Sequence, residues 1–79
     1  MNNKDLEEFF GKMIRSKRKE KKITQEHLAE LVGISTTYLR GVEHGCHSIT
    51  WKIWLNICSV LQLDVNEIIE KVRLENNYL

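Results

Sequence analysis

Between Ser35 and Arg40 the chain carries three consecutive hydroxyl side chains, Ser35, Thr36 and Thr37, and then a guanidinium three residues on. On a helix Thr36, Thr37 and Arg40 share the side opposite Leu39 and Val42, so the segment pairs a polar face with an apolar one. Such groups suit the hydrogen-bonding edges of nucleobases. Arginine offers a fork matched to guanine O6 and N7, worth roughly 1–3 kcal/mol of discrimination, and a threonine methyl can meet the methyl of thymine. The competing reading of Arg40 is an exposed side chain paired with a nearby carboxylate. What decides between them is whether the flanking segments hold this helix outward.

From Thr24 to Gly45, in TQEHLAELVGISTTYLRGVEHG, two short helical patterns are separated by one tight turn at Gly33. Two helices so joined, the second with hydrogen-bonding groups in its first turn, form the unit that fits a helix into the major groove of DNA. Other residues around the trio are candidate contacts to phosphate oxygens. Gln25 and Ser35 stand at helix starts, where side chains and free backbone N–H groups attract anions, although both also serve as ordinary helix-start residues. Tyr38 can donate its hydroxyl while its ring packs inward, or simply pack. His44, His47 and Lys52 flank the exit of one helix and the start of the next.

The formal net charge of +1 conceals an uneven distribution. From Lys12 to Lys52 there are nine Lys/Arg against four Asp/Glu, whereas the flanks hold three against seven. That asymmetry suggests one basic face for a polyanion and acidic ends turned elsewhere. The bland alternative for the run IRSKRKEKK is the solvated end of a helix, where the macrodipole favours cations.

Other chemistries find less support. His27, His44, Cys46, His47 and Cys58 lack the paired spacing of a zinc framework, and Cys58 falls on an apolar helical face, so no metal is expected. No acid–base pair, Gly-rich phosphate loop or nucleophile elbow is visible, so neither an enzyme nor a cofactor or small-molecule effector is indicated. Without a secretory leader, Cys46 and Cys58 read as reduced thiols of a cytoplasmic protein. The apolar runs are broken by Lys52, Asn56 and Ser59, well short of the roughly 20 residues that cross a bilayer, which predicts a soluble protein.

These residues must be positioned by helices, since no segment alternates as a strand would. Asn3 can cap a first helix carrying Leu6, Phe9, Phe10, Met13 and Ile14 and running to about Lys21. Thr24 can cap a second, with Leu28, Leu31 and Val32 as its buried side and Gly33 as its stop. Ser35 can cap the third, closed by Gly45. A fourth should run from near Thr50 through Leu61, so apolar that it must be covered on two sides. Asp64 and Glu67 resemble a capping box for a fifth carrying Ile68, Ile69 and Val72, with Glu75 to Leu79 expected to fray. One domain of 79 residues has a marginal core and gains from burying more apolar surface against a second copy. Leu55, Val65, Ile69 and Val72 are the candidates for that homodimer surface.

The stretch IRSKRKEKKITQEHLAELVGISTTYLRGVEHG, followed by an apolar helix ending VLQLDVNEII, resembles the Cro/repressor-like (XRE-type) helix-turn-helix domain over about residues 10 to 69. The matching positions are Ile14, Arg18, Thr24-Gln25, Leu28-Ala29, Gly33, Ser35, Leu39, Val42-Glu43, Gly45, Leu61 and Ile68. The resemblance implies an all-α, compact five-helix lambda-repressor-like domain. It also implies an ion pair between Arg18 and Glu43 that braces the third helix. Within the family, TTYLRGVEHG looks like the corresponding helix of restriction–modification controller proteins. Gly41 departs from many relatives, which carry a long polar side chain there. The expectation is a transcription regulator that binds double-stranded DNA as a homodimer. Two-fold symmetry would require an inverted-repeat operator with half-sites roughly 34 Å apart, one helical turn or a small multiple. A phage- or plasmid-type repressor, or an antitoxin-like protein-interaction module, are the other readings.

Overall fold

Three of the helix starts are set by a hydroxyl that accepts the backbone N–H three residues on. Thr24 accepts from His27 N at 3.1 Å, Ser35 from Tyr38 N at 3.0 Å and Thr50 from Ile53 N at 3.4 Å. Each such cap is worth about 1 kcal/mol. The helices they help define are α1 (Asn3–Glu20), α2 (Gln25–Val32), α3 (Thr36–Glu43), α4 (Trp51–Leu61) and α5 (Val65–Asn76), with no strand among the described residues. The computed structural model describes residues 3–76, and side chains from Lys4 to Leu74. The capping role expected of the Asn3 side chain therefore lies outside the described residues. So does most of the segment expected to fray, although α5 continues through Glu75 to Asn76. At the start of α5, Asp64 Oδ1 accepts from Asn66 N at 2.9 Å, an Asx-type turn in place of the expected capping box.

The first four helices end by one device. A residue in the left-handed region donates its N–H three residues back, and the next residue donates five back, which is the Schellman closure. Gly33 and Gly45 adopt it at φ 77° and 74°, and Lys22 and Gln62 at 60° and 56°. The longer bonds run from Ile23 to Arg18, Ile34 to Ala29, Cys46 to Gly41 and Leu63 to Cys58, at 2.8 to 3.0 Å. Ile23, Ile34 and Leu63 then turn inward onto the core. In α1, α2 and α4 the closure thus stops the helix and seals the core edge with the same residue, whereas Cys46 after α3 stays exposed.

That core consists of Ile14, Leu28, Ala29, Val32, Leu39, Val42, Ile57 and Leu61, drawn from α1 to α4. One expected member is absent from it. Leu31 is 51% exposed, and Ala29 takes the inward row with Leu28 and Val32, because α2 is eight residues long and presents one narrow stripe between α3 and α4. Helix α4 turns Ile57, Cys58 and Leu61 inward and leaves Trp51 and Leu55 exposed. Burial pushes the Cys58 thiol up, away from its reactive thiolate.

Two contacts fix α3 on this scaffold. Gly11 lies where α1 crosses the end of α3, and a Cβ there would come 2.4 Å from the Val42 carbonyl oxygen and 2.7 Å from that of Glu43. The second contact is the ion pair of α1 with α3. Arg18 Nε donates to Glu43 Oε2 at 2.7 Å and Nη2 to Oε1 at 3.0 Å, a bidentate pair in which both residues are buried. Arg18 Nη1 also donates to the Ile23 carbonyl at 2.8 Å, and Gln25 Nε2 donates to Glu43 Oε1 at 3.1 Å. Every oxygen of the buried carboxylate thereby has a donor, and α1, the α1–α2 turn, α2 and α3 are tied at one point.

Replacing Arg18 with alanine leaves Glu43 buried without its cation and should cost about 3–5 kcal/mol in urea unfolding. A paired Arg18→Met/Glu43→Leu variant should lose less than either single truncation, because no uncompensated charge remains. Gly11→Ala should cost about 1–3 kcal/mol by overpacking against backbone, despite alanine's better helix propensity.

Candidate nucleic-acid interface

With Leu39, Val42 and Glu43 buried, the opposite side of α3 is left to solvent. Thr37 and Arg40 are exposed there, and Thr36 is half-buried at the edge of the same face. The Arg40 guanidinium has no partner among the described residues, so the alternative of a local ion pair is not realised in this fold. A rigid helix, braced through Gly11 and Glu43, therefore presents two hydroxyls and an unengaged cation outward.

The residues around this face divide by what their polar atoms already do. Ser35 accepts from Tyr38 N with its oxygen, and its own proton points to no described acceptor. Gln25 spends an amide proton on Glu43, which makes it part of the brace; its backbone N–H still lies in the first turn of α2. The Tyr38 hydroxyl, a candidate donor to phosphate, here donates to the Ser48 carbonyl. The Ser48 hydroxyl in turn donates to Glu7 on α1. Tyr38 thus fastens the α3–α4 loop to α3 and α1.

His44 Nδ1 lies 2.9 Å from the Arg40 carbonyl oxygen, which can only accept, so that nitrogen carries the proton. Lys52 is exposed in the first turn of α4, just after the Thr50 cap. His47 is exposed, and its ring stacks on that of Tyr38 with centroids 5.4 Å apart and planes at 25°.

Two of these arrangements have no clear trace in residue type alone, the Tyr38–Ser48–Glu7 chain and the Gln25 bond to Glu43, whereas the close approach at Gly11 does. Only Gly11 leaves a signal, since a glycine inside a helix costs about 1 kcal/mol relative to alanine and so implies close packing. Among the described residues no three His, Cys, Asp or Glu side chains converge as a metal site would require. No described helix is long and apolar enough to cross a membrane.

The geometry has counterparts among known proteins. Residues 14–68 match the helix-turn-helix family. The chain is 38% identical over 57 residues to the ImmF control region 10 kDa protein of Bacillus phage phi105, a match spanning 72% of this chain and 63% of the phage protein's own length. It is 28% identical over 72 residues to the control protein C.SmaI of Serratia marcescens, covering 91% of this chain and 86% of that one. The crystal structure of the clp gene regulator ClgR from Corynebacterium glutamicum superposes with a TM-score of 0.76 at 30% identity, over 81% of this chain and 68% of that one. A matched span that runs from the core residue Ile14 to Ile68, and so takes in both helices of the turn, leaves one conclusion: the chain belongs to the XRE-type helix-turn-helix family of DNA-binding transcription regulators.

Proposed function

We propose that two copies of this chain bind a near-palindromic operator, each setting α3 into the major groove, and that occupancy beside a promoter blocks or recruits polymerase. The observation that carries this reading is the division of α3 into a face locked in the core and a face with Thr37 and Arg40 exposed. Thr36, Thr37 and Arg40 take base edges. Ser35, the backbone N–H of Gln25, His44 and Lys52 take phosphates, which set register without reading sequence. Work on DNA of this kind supports a cytoplasmic location.

Homodimerisation is supported by apolar surface that the single chain leaves uncovered. Leu55, Val65 and Ile69 are exposed on α4 and α5, with Val72 half-covered beside them. Helix α5 buries only Ile68 among its described residues, so its outer row is available to a second copy. The two-fold symmetry of such a pair would require half-sites roughly 34 Å apart, one helical turn or a small multiple of it.

The near end-to-end match to a control protein supports a restriction–modification controller. A phage-type repressor is the second reading, favoured by the higher identity to the phage protein. An antitoxin-like interaction module would instead use the apolar α4 to hold a different protein, with the helix-turn-helix secondary.

Arg40→Ala should relax sequence preference at one position per half-site while retaining most non-specific affinity. Lys52→Ala should weaken all sequences alike and lower the salt slope by about 1. Filter binding over a salt series with matched and mismatched duplexes separates the two, and equal effects on every duplex would remove Arg40 from base reading. Ile69→Glu should give a monomer in sedimentation and a large loss of operator affinity; an unchanged sedimentation coefficient would take α5 out of the interface.

A further inference from the structure

Gly41 leaves a gap on the outward face of α3, and another residue fills it. On the helical repeat Gly41 falls beside Thr37 and one turn from His44, on the side away from Leu39 and Val42. A Cβ built at Gly41 would meet the His47 ring at 2.0 Å from Cδ2, 2.5 Å from Nε2 and 3.1 Å from Cγ. The imidazole therefore occupies the volume that a side chain at Gly41 would claim. These contacts turn the Cδ2–Nε2 edge toward the helix and leave the Nδ1–Cε1 edge facing away from it.

The ring is held in that position by more than chance contact. One face stacks on Tyr38, and the Tyr38 hydroxyl donates to the carbonyl of Ser48, the residue next to His47. Ser48 is itself tied to Glu7. Backbone on both sides is also fixed, by Cys46 N donating to Gly41 O at 2.8 Å and by the Thr50 cap of α4. No described residue hydrogen-bonds the His47 ring, so Nδ1, on the edge turned away from the helix, remains available although the ring's placement is defined.

We propose that His47 is a specificity-determining residue, its imidazole standing in for the side chain absent at Gly41 and donating to a major-groove acceptor, O6 or N7 of guanine, next to the base pair addressed by Thr37. The inference rests on the reading that α3 enters the major groove. It differs from a phosphate contact in one respect: a base contact is sequence-dependent and a phosphate contact is not. A neutral imidazole has one N–H to donate, which is sufficient for a guanine acceptor.

The test is selection of bound duplexes from a random pool by the unaltered protein, His47→Ala, His47→Gln and Gly41→Ala, with thermal melts confirming that each folds. The unaltered protein should prefer guanine at one position per half-site by about five- to tenfold. His47→Ala should lose preference at that position alone, and His47→Gln, which keeps a donor, should regain part of it. Gly41→Ala should match His47→Ala, because its methyl displaces the ring, and combining the two should add nothing further. Uniform weakening on all sequences by His47→Ala would overturn the proposal in favour of a phosphate contact, as would retention of the preference in Gly41→Ala. A consensus lost only at other positions would overturn it while leaving α3 as the reading helix. No consensus from the unaltered protein would overturn both readings together.

Discussion

The buried pair of Arg18 and Glu43 is the constraint on which the exposed face depends. Removing two charges from water costs several kcal/mol per ion, and the cost is offset here by bidentate geometry and by donors to every remaining acceptor. Such a pair contributes little net stability compared with an apolar substitute, but it tolerates one arrangement only. Rotating α3 about its axis would pull Glu43 from Arg18 and Gln25 together. The orientation of Thr37 and Arg40 toward solvent is therefore set from behind, by a carboxylate at the end of the same helix.

Gly11 and the Schellman closures complete this restraint by different physics. Without a side chain at position 11, α1 lies against the carbonyls of Val42 and Glu43, so the end of α3 cannot slide toward α1. The closures at Gly33 and Gly45 fix where α3 begins and ends, and the α3–α4 loop is then fastened through Tyr38, Ser48 and Glu7. The backbone that carries the outward groups is thus fixed in advance, so on meeting DNA only side chains such as that of Arg40 would still have to be ordered.

Much of this was legible in the order of residues. Thr24, Ser35 and Thr50 marked helix starts because a hydroxyl before an apolar run has few other uses, and Gly33 and Gly45 marked ends because a left-handed corner favours glycine. Leu39 and Val42 faced inward because α3 has one apolar row. Leu31 did not follow, since apolar type alone cannot tell which of two adjacent rows a neighbouring helix will cover. The ends at Lys22 and Gln62 were less visible, as a non-glycine residue carries no mark of the left-handed region. Least legible were Tyr38 with Ser48 and His47 with Gly41, where the partner is chosen by the path of a loop.

In the proposed complex α3 meets DNA with the face opposite Leu39, Val42 and Glu43. Backbone amide and Arg side-chain chemical shifts, followed as a selected operator duplex is added, test it directly. The largest changes should fall from Ser35 to His47 and at Arg40 Nε, with smaller ones at Lys52, while Ile14, Leu28 and Ile57 stay near their free positions. Large changes confined to α1 or α5, with Thr36, Thr37 and Arg40 unmoved, would contradict it.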